Sequence, residues 1–274
     1  MRKQTPFSIS PNPLALFLTS ALDAALFKIR YTVDYRQGLT AVLGDVGIGK
    51  SSLVRYAHAE FDARDDIKSV LIPTPNYKTD YAFIQAISGA VGLPSRRSVQ
   101  DHQRELEAWL GEQFLADRAV VLFIDEAQKL STPMLELVRS FLNFETDDTK
   151  LIQIILAGQL ELRDRLLTRK LKPLYSRLIS PTVLSPLALA EVEQMIEHRC
   201  AYGKIKNPFS SDSLLRVYEL SLGVPRDVLS LCAHAHQLML IQRAHSIPPA
   251  LVDVAFAEVK LRDAGGGNLG NSDE

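Results

Sequence analysis

Cysteine is nearly absent from this chain. There are two, Cys200 and Cys232, far apart and in no CxxC pattern. That excludes a disulfide framework and a cysteine-rich metal site, and fits two reduced, partly buried thiols. The six histidines, His58, His102, His198, His234, His236 and His245, form no ligand spacing with the cysteines. His234 and His236, two apart on a helical stretch, point to different faces. No serine sits in GxSxG, so no hydrolase elbow is present. No apolar run approaches the ~20 residues needed to cross a bilayer; the longest, residues 119–125 and 151–158, have strand length. No early segment combines a charged head, an apolar centre and a cleavage site. These absences lead to the expectation of a cytoplasmic protein without membrane insertion. The net charge is −1, which removes a global basic field, so any nucleic-acid contact must come from a local patch.

What is present is ordinary for a folded domain: 46% apolar and 23% charged residues in a chain of 274. That argues against wholesale disorder and allows one α/β core with a smaller appended domain. Residues 1–35 read as an arm and a helix. The arm carries Pro6, Phe7, Pro11, Pro13 and Phe17, with Phe7, Leu14 and Phe17 expected to pin it down. The helix has Leu22, Leu26, Ile29 and Val33 on one face. Residues 36–186 alternate: strands are expected near 39–44, 69–73, 119–124, 150–157 and 181–184, and helices at 51–61, 79–91, 98–114, 132–144 and 160–169. After Pro186 only helices are expected, at 187–202, 211–221, 226–243 and 248–261, so residues 187–263 read as an all-helical lid. The tail at 264–274, AGGGNLGNSDE, is low in apolar residues and is expected to be flexible.

The first expected strand runs into Gly44-Asp45-Val46-Gly47-Ile48-Gly49-Lys50-Ser51, followed by Ser52. This fits GxxxxGK[ST] at every required position, in the strand-turn-helix context that the motif needs. Glycines let backbone N–H groups turn inward around phosphates, and the helix N-terminus adds partial positive charge. Lys50 supplies a point charge to the β and γ phosphates, and the Ser51 hydroxyl reaches Mg²⁺. The third strand, Val120-Val121-Leu122-Phe123-Ile124, ends in Asp125-Glu126. A buried parallel strand should be continuously apolar and end in its functional carboxylates. Asp125 is placed to hold Mg²⁺, and Glu126 to orient or deprotonate an attacking water.

The P-loop, IDEAQKL at 124–130, LAGQLELRDRL at 156–166 and GVPRDVL at 223–229 together resemble the ExeA-type AAA+ ATPases. The arm PFSISPNPLALFLTSALDAAL resembles the one that precedes the P-loop in that family, so the resemblance covers about residues 5–262. It implies an α/β fold: a P-loop AAA+ core with a parallel sheet between helices, followed by a small all-helical lid. It also implies ATP with Mg²⁺, adenine over guanine, and hydrolysis to ADP and phosphate. Within the superfamily, a stand-alone ATPase of this length is similar to the transposition regulators TniB, TnsC and Mu B. These assemble on DNA with ATP and recruit a transposase. The alternatives are a secretion-associated ATPase of the ExeA type, and a nucleotide-switched scaffold with little turnover.

The resemblance also carries residue roles. Gln159, at the end of the fourth strand, matches the γ-phosphate sensor, although many relatives have Asn or Thr there. Arg226, opening a lid helix, matches the second sensor. Arg177 is the match for an arginine finger that acts on a neighbour's nucleotide and makes the unit an oligomer, ring or filament. Arg165 and Arg169 compete for that role, and all three could equally be solvated helix charges. Lys78, Thr79, Arg96, Arg97 and Ser98 match loops that face double-stranded DNA, with chemistry suited to phosphate. The alternative for these cations is an ordinary loop role.

Overall fold

The computed structural model describes residues 5–10 and 12–265. The described chain forms two compact units. One comprises residues 12–46 and 50–185. The other comprises residues 186–265 with residues 5–10 and Gly47–Gly49.

The first unit opens with α1 (Ser20–Asp34), capped by the Thr19 hydroxyl, which accepts the Leu22 N–H. Leu22, Leu26, Ile29 and Val33 are all buried, as their spacing predicts. The chain then continues through β1 (Leu39–Leu43), α2 (Lys50–Asp62), β2 (Ile67–Ile72), α3 (Asp80–Ala90) and α4 (Val99–Leu115). There follow β3 (Ala119–Ile124), α5 (Thr132–Phe141), β4 (Ile152–Gly158), α6 (Leu160–Leu166), α7 (Lys172–Tyr175) and β5 (Thr182–Val183). The sheet order is β2-β3-β4-β1-β5, and every pairing is parallel. All five residues of β1 and all seven of β4 are buried, the pattern of strands covered on both faces. Gln153 is the polar exception in β4. Its buried carboxamide is satisfied by the Gly38 N–H and the Lys150 carbonyl.

Parallel pairing brings the C-terminal ends of β1, β3 and β4 to one edge. β1 leads into Gly44, β3 into Asp125 and β4 into Gln159. Because β4 lies between β1 and β3, Gln159 leaves the sheet between the glycine loop and the carboxylates.

The second unit is helical: α8 (Leu189–Tyr202), α9 (Ser211–Ser221), α10 (Pro225–Ile241) and α11 (Pro249–Gly265). Val192, Ile196, Val217, Val228, Cys232, Val252 and Ala255 form its interior. Phe7 is buried there, edge-on to Phe209 with centroids 5.8 Å apart. Both cysteines are buried and unbonded. Burial pushes the Cys200 thiol up to about 11 and also raises Cys232 well above the ordinary thiol range.

Several expectations need correction. Leu14 does not pin the arm: it is 80% exposed, and its neighbour Ala15 is buried instead. Pro13–Ala15 forms a single 3-10 turn in which the Asn12 side chain accepts the Leu14 N–H, turning Leu14 outward. The helix expected at 160–169 stops at Leu166, and a separate short helix, α7, follows. Pro173 lies in the first turn of that second helix, where a proline fits. The helix expected to reach 144 ends at Phe141, and Glu145 then pairs with Lys150 in an isolated antiparallel bridge. The tail prediction falls on residues 264–274, of which 266–274 lie outside the described residues. Among the described residues, no helix is long and apolar enough to cross a membrane.

Candidate active site

The loop between β1 and α2 is shaped by its glycines. Gly47 has φ 81° and Gly49 φ 106°, a region that L side chains avoid. A Cβ at Gly49 would meet no atom within 4 Å, so glycine is required there by conformation and not by space. Within the helical unit, Gly47 lies against α10: its carbonyl accepts the Arg226 N–H at 3.1 Å. A Cβ at Gly47 would sit 3.0 Å from Arg226 Cβ and 3.1 Å from Val224 Cγ1. Ile48 is buried, whereas Val46 is 54% exposed.

α2 begins at Lys50, so Lys50, Ser51 and Ser52 lie in its first turn, where backbone N–H groups have no intrahelical acceptor. Lys50 is buried to 6% exposure, and its Nζ donates to the carbonyls of Gly44 (2.8 Å) and Asp45 (2.7 Å). The ammonium therefore lies inside the curl of its own loop, where an anion seated on that loop would meet it.

Asp125, 3% exposed, accepts a hydrogen bond from the Ser51 side chain and, at 2.9 Å, the Glu126 N–H. Burial raises its pKa above the usual carboxylate range; the Ser51 bond, the Glu126 N–H and Lys50 pull the other way. A hydroxyl–carboxylate pair at the mouth of a phosphate loop is a hard-oxygen donor set. It suits Mg²⁺, which takes one or two protein oxygens and completes its shell with water and phosphate. Among the described residues, no group of three or more His, Cys, Asp or Glu could hold a metal by itself.

Glu126 has φ 53° and ψ 36°, left-handed for a non-glycine residue. Such a conformation stores strain and is held only where its surroundings over-determine it. Here a 3-10 turn, Ala127–Lys129, follows at once. Arg165 of α6 grips that turn by donating to the carbonyls of Gln128 and Leu130, both at 2.7 Å. The Glu126 side chain is 30% exposed. Its Oε2 accepts the Gln128 Nε2–H at 2.7 Å, and Lys129 Nζ lies 3.8 Å away. Gln128 was not singled out by sequence reasoning, which stopped at the carboxylates; a glutamine directly after Asp-Glu-Ala carries no spacing signal of its own. Arg165, weighed as a finger, has its guanidinium engaged on carbonyls of its own chain.

The remaining candidates are dispersed. Gln159 precedes α6 and makes no side-chain cap bond; its backbone N–H donates to Gln128 Oε1 at 3.1 Å. Arg177 follows α7, and its Nη1 donates to Asn143 Oδ1 (2.7 Å) and the Arg139 carbonyl (3.2 Å) at the end of α5. Arg169 is exposed. Arg226 is exposed at the start of α10, where a cation is opposed by the helix dipole.

The loop at 95–98 lies against α3: the Tyr81 hydroxyl donates to the Arg96 carbonyl, and Gln85 donates to Ser95. Lys78, Thr79, Arg96 and Arg97 are exposed, and Ser98 is half-buried. Ser95, Arg96, Arg97, Asp101, Arg104 and Glu105 line an open cleft of about 610 Å³. Its chemistry is less cationic than the sequence suggests. Arg96 is paired with Glu105, and Arg104 lies 3.8 Å from Asp101. The Thr79 and Ser98 hydroxyls serve as N-caps for Ala82 and Asp101.

Residues 33–166 match a family described as an AAA domain. Over 273 residues the chain is 29% identical to General secretion pathway protein A of Aeromonas hydrophila, covering 96% of this chain and 48% of that protein. It thus spans about half the length of that relative. Among solved structures, it is similar to the ORC2 protein of Aeropyrum pernix, with a TM-score of 0.71 and 17% identity over 94% of this chain and 72% of that one. The Aeropyrum pernix ORC1 protein, solved in complex with DNA, gives a TM-score of 0.70 at 16% identity over 93% and 69%. The Thermotoga maritima RuvB branch migration motor gives 0.56 at 16% identity over 86% and 68%. At such identities the likeness is one of fold. The fold is the P-loop AAA+ core with a parallel sheet between helices, followed by a helical region.

Proposed function

We propose that this chain is a Mg²⁺-dependent ATPase serving as the energy-converting part of a secretion-associated assembly. One observation carries the catalytic half: Lys50, Ser51, Asp125 and Glu126 meet at a single sheet edge, with the first three buried or paired before any substrate arrives. The Gly44–Gly49 amides and Lys50 would hold the phosphates; Ser51 and Asp125 would hold Mg²⁺, which would supply positive charge to offset that of the phosphates. Glu126 accepts the proton of a water whose oxygen attacks the γ phosphorus as the bond to the β-phosphate oxygen breaks, leaving ADP and phosphate. Gln159 contacts the γ-phosphate, and Arg226 and a neighbour's Arg177 complete the site in an oligomer. The 29% identity to General secretion pathway protein A over 96% of the chain supports the secretion-associated reading over a transposition regulator.

The test is steady-state ATP turnover with and without Mg²⁺. Glu126→Gln should lower kcat by about 10²–10⁴-fold while leaving nucleotide affinity within twofold. Unchanged turnover in that variant would remove Glu126 from the role. Slow turnover in the unaltered chain with tight nucleotide binding would turn the reading to a nucleotide-switched scaffold.

A second reading is favoured by the exposed Lys78 and Arg97: ATP-dependent binding to double-stranded DNA, with a transposase or other partner recruited on it. Its test is duplex binding with a slowly hydrolysed ATP analogue at two salt concentrations, alongside sedimentation. Nucleotide-dependent, salt-sensitive binding by large assemblies would overturn the secretion reading; no binding in any nucleotide state would remove the DNA reading.

A further inference from the structure

Two candidate catalytic groups, Glu126 at the end of β3 and Gln159 at the end of β4, are joined by one side chain. Gln128 donates through Nε2 to Glu126 Oε2 at 2.7 Å and accepts the Gln159 N–H through Oε1 at 3.1 Å. Both ends of the carboxamide are thus used, and its orientation is fixed: a flipped amide would aim N–H at N–H and oxygen at carboxylate. Its backbone is held too, since Arg165 donates to the Gln128 carbonyl at 2.7 Å. Room for the strut depends on Gly158, where a Cβ would come within 3.3 Å of Gln128 Oε1 and 2.7 Å of Leu162 Cδ2.

We propose that Gln128 is a positioning residue for hydrolysis. It holds one oxygen of the Glu126 carboxylate, leaves the other for the attacking water, and ties that carboxylate to the strand end that carries Gln159. The chemistry is that of a fixed donor on a general base. Glu126 sits in a strained left-handed turn with a half-exposed side chain, and a carboxylate in that situation samples several rotamers unless one oxygen is anchored. The anchor confines it to one geometry, which is what proximity and orientation require of a base. This rests on the reading of Glu126 as the base for ATP hydrolysis.

Gln128→Glu separates the two ends of the strut. It keeps an oxygen for the Gln159 N–H and replaces the donor toward Glu126 by a second carboxylate. An ionised carboxylate there cannot donate to Glu126, so the anchor is lost while the Gln159 contact stays. Gln128→Glu should therefore lower kcat about tenfold, with KM, nucleotide affinity and melting temperature little changed from wild type. Gln128→Ala, which removes both bonds, should lower kcat roughly tenfold to a hundredfold with KM little changed. A Gln128→Glu kcat equal to wild type would overturn the proposal. So would a Gln128→Ala loss that appears equally in KM and melting temperature. Glu126→Gln run alongside keeps the two readings apart. If it turns over normally, the general-base reading fails; if it is inactive while both Gln128 variants match wild type, only the strut fails.

Discussion

The sheet edge at Lys50 and Asp125 and the cleft at the N-terminus of α4 both gather charge, but they hold it differently. At the sheet edge the charges are buried, at 6% and 3% exposure, and each is engaged by named groups: carbonyls for the ammonium, a hydroxyl and an N–H for the carboxylate. At α4 the charges are solvated, and cations alternate with carboxylates. Burying a charge is costly unless it is paired or hydrogen-bonded, so the first arrangement persists only where the fold is organised around it. The second is affordable anywhere on a surface. Burial with exact pairing therefore singles out the sheet edge as the place where chemistry is prepared.

The largest expected effect breaks the sheet edge outright. Lys50→Ala removes a buried point charge from the phosphate loop and should weaken ATP binding by roughly 10²–10³-fold, the loss seen when one partner of a buried charge contact is truncated. Equilibrium binding of a fluorescent ATP analogue measures it, and a loss below tenfold would mean that the loop amides alone carry the affinity.

A smaller effect of opposite sign comes from Asp125. Its folded-state pKa is raised, chiefly by burial. A carboxylate raised on folding binds more protons in the native state. It therefore destabilises the fold above its unfolded pKa, and that penalty vanishes as pH falls below the ordinary carboxylate range. Asp125→Asn should melt higher than wild type near pH 7 without nucleotide or Mg²⁺, with the gap closing toward pH 4, while Mg²⁺-dependent turnover is lost. Thermal melts at the two pH values check it; a lower melting temperature at pH 7 would mean that the Ser51 and Glu126 bonds outweigh the desolvation.

The smallest effects belong to the cleft. If the second reading holds, Arg97→Ala should reduce the slope of log K against log salt for duplex DNA by about 1. Arg96→Ala should change it less, because Glu105 already neutralises that guanidinium. Neither should move the melting temperature measurably, as exposed pairs contribute little. A clear loss of stability on Arg96→Ala would contradict the view of this cleft as solvated surface.

Legibility followed the range of the forces involved. The glycine loop and the apolar strand ending in Asp125-Glu126 are local patterns, and each lies where its neighbours in sequence put it. The buried face of α1 was read correctly for the same reason. Leu14 was misplaced because burial in an arm depends on what the arm meets, and a single capped turn sends the side chain outward. Gln128 was missed because its partner Gln159 is a neighbour only through the pairing of β3 with β4.

By itself the sequence determined which residues are chemically equipped: a lysine and a serine after a glycine turn, two carboxylates at a strand end, helices after Pro186. Those choices rest on backbone conformation and periodicity, which act over a few residues. Only the tertiary structure decided which of them meet and which are already engaged. It set β4 between β1 and β3, tied Gln128 to both Glu126 and Gln159, and turned Arg165 onto carbonyls of its own chain. It also gave a reason for Gly223 in the helical unit, where φ is 72° and a Cβ would lie 2.1 Å from the Leu187 carbonyl oxygen. Such contacts join residues far apart in the chain, and hydrogen bonds and steric exclusion act only at the distances that packing creates.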